Sequence, residues 1–111
     1  MDDIIRNIIA FRDERDWKQF HNSKDLAISL SLEASELLEL FQWSTADAVR
    51  DAKREELQDE LADVLIYALT LAHDLDINVE TAIRNKMKKN AAKYPVDKSL
   101  GTSKKYTDLE K

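Results

Sequence analysis

The chain has 111 residues, 43% of them apolar, with one Gly, one Pro and no Cys. That is one domain's worth with enough apolar surface for a core. It excludes a disordered chain, a turn-rich β-sandwich or barrel, a disulfide scaffold, a thiolate zinc site and a Cys nucleophile. The net charge of −5 is uneven: residues 1–83 carry 19 acids against 8 Lys and Arg, and residues 84–111 carry 3 acids against 9; an acidic body with a basic end is unlike a duplex-DNA binder, and no nucleic-acid partner is expected.

The first helix is predicted from about Asp3 to Arg15. Ile4, Ile5, Ile8, Ile9 and Phe11 form its apolar side, and Asp2 and Asp3 suit its positive N-terminal end. Residues 16–23 read as a connector, unusually aromatic for a loop. A second helix runs from about Lys24 to Phe41, with Ser23 as its N-cap. Ser44 or Thr45 can cap the next stretch, which stays helical in pattern for about 30 residues, to Leu75, long for a globular helix. The apolar stripe thins near residues 50–54, so a break is expected there. The last helix begins near Asn78, another N-cap candidate, and ends before Pro95, which disfavours helical geometry at Tyr94. Residues 96–111 are polar, contain the only Gly and read as a tail, leaving residues 1–95 as the domain. The expected fold class is all-α. No apolar run approaches the ~18 residues of a membrane span. The start, Met1-Asp2-Asp3, is acidic where a signal peptide is basic. With no Cys, these features lead us to expect a cytoplasmic protein without a membrane partner.

The acids are placed unusually. On a helical wheel, Leu57, Leu61, Ala62, Val64, Leu65, Ile66, Ala68, Leu69, Leu71 and Ala72 cover well over half the circumference, so this helix is expected to be mostly buried. The polar remainder is a stripe of Asp59, Glu60, Asp63, Tyr67 and Thr70. In the second helix, Glu33 falls among Leu26, Leu37 and Leu40, and Glu36 between Leu32 and Leu40. A carboxylate among leucines is costly unless it is paired or binds a cation, and no Lys or Arg lies between Asp25 and Trp43. Glu39, Asp47, Glu55, Glu56 and Asp59 read as solvent-facing. Glu33, Glu36, Glu60 and Asp63 could converge if the two helices pack side by side. Four such charges ionise together only with a cation among them. Oxygen ligands alone suit Mg²⁺ or Mn²⁺. A di-iron bundle would place His three residues after Glu, and neither His21 nor His73 does so.

Glu33-Ala-Ser-Glu36, followed after 23 residues by Glu60-Leu-Ala-Asp63, resembles the E-x-x-E…E-x-x-D signature of the MazG-like nucleotide pyrophosphohydrolases. The flanks agree: Glu14-Arg15-Asp16-Trp17-Lys18-Gln19-Phe20-His21, Leu37-Leu38-Glu39-Leu40-Phe41-Gln42-Trp43, and Asn85-Lys86-Met87 with Asn90 and Tyr94-Pro95. The likeness covers about residues 5–95 and is nearest to the small single-domain branch that includes the dCTP pyrophosphatases. The segment between Trp43 and Glu55 matches no family motif.

The resemblance implies a MazG-like helical bundle whose four-helix core is assembled in a homo-oligomer, a dimer or a tetramer. It implies hydrolysis of a nucleoside triphosphate, a dNTP foremost, to monophosphate and pyrophosphate in nucleotide-pool house-cleaning, with Mg²⁺ held by Glu33, Glu36, Glu60 and Asp63. We assign water activation to Glu36, although the spacing allows any of the four. Lys86, and after it Lys89 and Lys93, could meet the triphosphate, and Asn90 and Tyr94 share a helical side with Lys86. By resemblance, Asn90 contacts sugar or base and Tyr67 lines the sugar. Trp17, Phe20, His21 and Trp43 could stack on the base, whereas His73, near a helix end, reads as structural. The alternative is a non-catalytic helical protein of the same fold that binds a nucleotide or a partner.

Overall fold

A computed structural model describes residues 1–109, and every regular element among them is helical. In chain order these are α1 (Asp2–Glu14), a 3-10 turn (Lys18–Phe20), α2 (Ser23–Glu39), α3 (Ala46–Ala52), α4 (Arg54–Asp74), α5 (Val79–Lys93), α6 (Val96–Ser99) and α7 (Tyr106–Leu109). The all-α class is as expected, and so is the break: α3 and α4 are separated at Lys53. The chain divides into two compact units, Met1–Ile77 and Asn78–Lys111.

In the first unit α2 packs along α4, and α1 and α3 also rest on α4. Leu26 and Val49 are the most deeply buried apolar residues, joined by Leu69 and Ala72 near the end of α4. Thr45 caps α3, its hydroxyl accepting from the Ala48 amide at 3.1 Å. The cap of α2 is Asn22 and not Ser23: Asn22 Oδ1 accepts from the Asp25 amide at 2.8 Å, and Ser23 already lies inside the helix. Amide oxygens and hydroxyls serve equally well as caps, so adjacent candidates are not separable by type.

Two expectations for α4 need correction. The helix is not mostly buried within one chain, since Leu61, Leu65 and Ile66 remain exposed and only Leu69, Thr70 and Ala72 are buried. The three neighbouring helices cannot surround it. Thr70, assigned to the polar stripe, is buried, and its hydroxyl is satisfied by donating to the Ile66 carbonyl at 2.7 Å. A threonine in a helix can supply its own acceptor in this way, so it enters a core without a partner from elsewhere.

In the second unit Asn78 caps α5, accepting from the Thr81 amide at 3.0 Å, and the helix stops one residue before Tyr94. The segment read as a tail carries two single-turn helices, α6 and α7. Its Tyr106 ring meets Tyr94 edge-on at 6.2 Å, and Lys93 Nζ lies 4.9 Å from the same ring. An aromatic contact and a cation over its face hold α7 to the end of α5, which polarity alone does not foretell.

Candidate active site

Glu33 and Glu36 leave α2 one turn apart, and Glu60 leaves the facing side of α4. Each offers a carboxylate oxygen, and the three oxygens lie within 4.8 Å of one another. Glu33 and Glu60 are half-buried and Glu36 is exposed. One oxygen of Glu33 and one of Glu60 are buried with no hydrogen-bond partner. A buried acceptor without a donor carries the full desolvation penalty, and a hard cation between oxygen ligands removes it. The donor set and its two orphaned oxygens therefore fit a divalent metal ion.

The electrostatics agree. Burial first, and then Glu36, Asp63 and Glu60, push the Glu33 carboxyl up to about 7. Burial followed by Glu36 and Asp63 raises Glu60 also. After burial, Glu36 is the neighbour that acts most strongly on both, so protons can replace the cation when it is absent. Asp63 is half-buried and near enough to act on both glutamates, but it is not one of the three whose oxygens converge.

The aromatic residues fall into distinct settings. His21 is half-buried, its ring 6.5 Å from that of Tyr67 on α4, with Nδ1 buried and unpartnered. Trp17 is partly exposed and meets Phe11 edge-on at 5.8 Å, with Arg15 stacked on the Phe11 ring. Phe20 is exposed and touches neither of them in this way. Trp43 is 93% exposed and has φ 63°. Asp16 and Asp76, also at positive φ, are types that tolerate the left-handed region, whereas an indole there is strained. His73 is exposed and shares with His21 and Lys18 the wall of a cleft of about 440 Å³. Lys86 and Asn90 lie one turn apart on α5 in the second unit, and Tyr94 is the residue at which that helix ends; Lys86 and Tyr94 are exposed and Asn90 is half-buried.

Sequence reasoning missed Arg12 and Asp74. The Arg12 side chain is 4% exposed and its Nη1 lies 2.8 Å from Asp74 Oδ2. A signal existed on one side only: Arg12 falls on the α1 wheel among Ile5, Ile8 and Ile9, and a cation on an apolar face demands a partner. Nothing in the sequence points across 62 residues to Asp74.

The family described as MazG-like matches residues 28–109, more than half the chain. The chain is 41% identical to dCTP pyrophosphatase 1 of Rattus norvegicus over 114 aligned positions, covering 98% of this chain and 67% of that protein. It is 40% identical to the Homo sapiens protein of the same name, with the same coverage. Among solved structures, a pyrophosphatase from Archaeoglobus fulgidus superposes with a TM-score of 0.81 at 42% identity, covering 86% of this chain and 92% of that one.

Proposed function

This chain belongs to the MazG-like family, and we propose that it is a Mg²⁺-dependent nucleoside triphosphate pyrophosphohydrolase acting on dNTPs, dCTP first among them. The observation that carries this reading is the convergence of Glu33, Glu36 and Glu60 with two buried, partnerless oxygens. Glu33, Glu36 and Glu60 would hold the metal, with Asp63 completing the set one turn beyond Glu60. Bound there, Mg²⁺ supplies positive charge to the phosphate oxygens and so favours attack at phosphorus.

The chain's own residues do the rest. Glu36, the exposed member of the cluster, accepts the proton of the attacking water. The water oxygen bonds to the α-phosphorus, the bond from that phosphorus to the α,β-bridging oxygen breaks, and pyrophosphate leaves. Half-buried Glu33 and Glu60 keep bulk water from competing for the cluster. Trp17, His21 and Trp43 stack on the base, and Tyr67 beside His21 lines the sugar; in the second unit the family likeness makes Lys86 the candidate for the triphosphate and Asn90 for sugar or base, with Tyr94 a further candidate. Stacking is worth ~1–3 kcal/mol per base and tolerates every base, so preference for cytosine must rest on hydrogen bonds at its edge. The protein works as a homo-oligomer in the cytoplasm, clearing nucleotides from the pool. No helix among the described residues is long and apolar enough to cross a membrane.

The test is a panel of dNTPs and NTPs with Mg²⁺, Mn²⁺ or EDTA, with pyrophosphate and monophosphate both measured. Equimolar products that require metal are expected, dCTP being turned over fastest. Binding of dCTP without product would replace this reading by a non-catalytic nucleotide-binding protein.

A further inference from the structure

The first turn after α1 is held by Arg12 twice. Its side chain, buried in the apolar face of α1, reaches Asp74 at the last residue of α4 at 2.8 Å, with Asp74 itself only 16% exposed. Its carbonyl accepts from the amides of Arg15 and Trp17, at 3.2 and 3.1 Å. From there the connection runs on without a gap: the Trp17 carbonyl accepts from the Phe20 amide at 2.9 Å, and that of Lys18 from the His21 amide at 3.0 Å. At its end His21 meets Tyr67 of α4 and forms one wall of the cleft to which Asp74 also contributes.

The energetics of such a pair argue for position over stability. A buried ion pair is seldom more stable than apolar side chains of similar volume, because desolvation offsets most of the attraction. Arg12 illustrates the penalty, since its Nε is buried without a hydrogen bond and has only Asp13 Oδ1, of a largely exposed side chain, at 3.5 Å. Half-buried Ile5, Ile8 and Ile9 could hold α1 to α4 alone, but apolar contact is non-directional and would let the helix slide. A short charge-assisted bond fixes distance and direction.

We propose that the Arg12–Asp74 ion pair is a positioning device that fixes the Trp17–His21 connector against the end of α4 and so sets the geometry of the base site. The second half of this statement rests on Trp17 and His21 contacting the substrate, as argued above. Neither Arg12 nor Asp74 touches substrate; both act through the connector.

The test replaces both partners together. Arg12→Leu/Asp74→Leu removes the charges without leaving one buried alone, so the variant is expected to fold and melt near wild type. The indole N–H resonance of Trp17, assigned with Trp43→Phe, reports the connector, and steady-state kinetics with dCTP and Mg²⁺ report the site. The resonance is expected to move, and KM to rise by about 10-fold with kcat nearly unchanged, the signature of lost binding geometry. If the double variant does not fold, charge reversal decides. Arg12→Asp should shift the indole signal, and Arg12→Asp/Asp74→Arg should bring it back. A Trp17 resonance that stays in place in the variants that fold overturns the positioning role. A resonance that moves while KM stays constant supports that role and removes Trp17 from the base site.

Discussion

Glu33 is half-buried and ionises against three neighbouring carboxylates, and burial first and then Glu36, Asp63 and Glu60 hold its proton up to about 7. An unfolded glutamate releases its proton near the ordinary 4.5. The folded, metal-free chain therefore binds more protons than the unfolded one between these values, and loses stability as the pH rises through that window. Its melting temperature in EDTA is expected to be highest below pH 4.5 with respect to this group and to decline towards pH 7. Mg²⁺ binds the folded site and displaces the protons, so its stabilisation should grow across the same range. Glu33→Gln should flatten both curves, be at least as stable as wild type in EDTA at pH 8, and be inactive. Melts of the two proteins at pH 5 and pH 8, each with EDTA and with Mg²⁺, check this; equal Mg²⁺ responses would take Glu33 out of the metal site. Glu36→Gln and Glu60→Gln should lower turnover by about 100-fold or more, as removal of a transition-state electrostatic partner does, with folding intact by circular dichroism.

Trp43 poses the opposite question at the same scale. Its ring packs against almost nothing and its backbone sits where an indole is disfavoured, at ~1–2 kcal/mol for the left-handed region. Stability gives no reason for it, and strain with exposure belongs to functional positions. Trp43→Gly is expected to melt within a few degrees of wild type, because glycine takes that conformation freely. Its KM for dCTP should rise by about 10-fold, in line with ~1–3 kcal/mol of stacking. A large fall in melting temperature with an unchanged KM would make Trp43 a structural residue.

At the scale of elements, the helices and the acid pairs were legible because both are periodic. Glu33 and Glu36 stood out among leucines with no local cation, and Glu60 as part of a narrow acidic stripe on an otherwise apolar helix; the structure brings these three together, and Asp63, expected with them, is not among the converging oxygens. Legibility ended where a contact depends on neither period nor spacing. Arg12 and Asp74 meet across the fold, Thr70 is buried by satisfying itself, and α7 is held by two tyrosines and a lysine. The start of α2 lies between, because Asn22 and Ser23 are both good caps and only geometry chooses. Asn22→Ala should cost about 1 kcal/mol in urea unfolding and Ser23→Ala far less. The reverse order would place the cap where the sequence suggested.

At the scale of the whole molecule, the apolar surface exceeds what one chain covers. Ile28 and Leu32 form an exposed row on α2, Leu61 and Leu65 another on α4, and Leu38 is 69% exposed. Each pair is four residues apart, so each row follows one helix face. These helices also carry Glu33, Glu36 and Glu60, so an assembly through their outer faces would brace the site from behind. Exposed apolar rows on two packed helices are the kind of surface an interface covers, and homo-oligomers with closed symmetry are the usual outcome. We therefore expect a dimer or larger at micromolar concentration by sedimentation equilibrium. Because dissociation would accompany unfolding, the melting temperature should rise with protein concentration. Leu32→Lys and Leu65→Lys place a charge in the interface and should shift the sedimenting species towards monomer and lower the melting temperature. The same substitution at Val96, 76% exposed in the basic unit, serves as a surface control and should leave both unchanged. A wild-type monomer whose melting temperature does not depend on concentration would show that these leucine rows face solvent, and the active cluster would then have to be stable on α2 and α4 of a single chain.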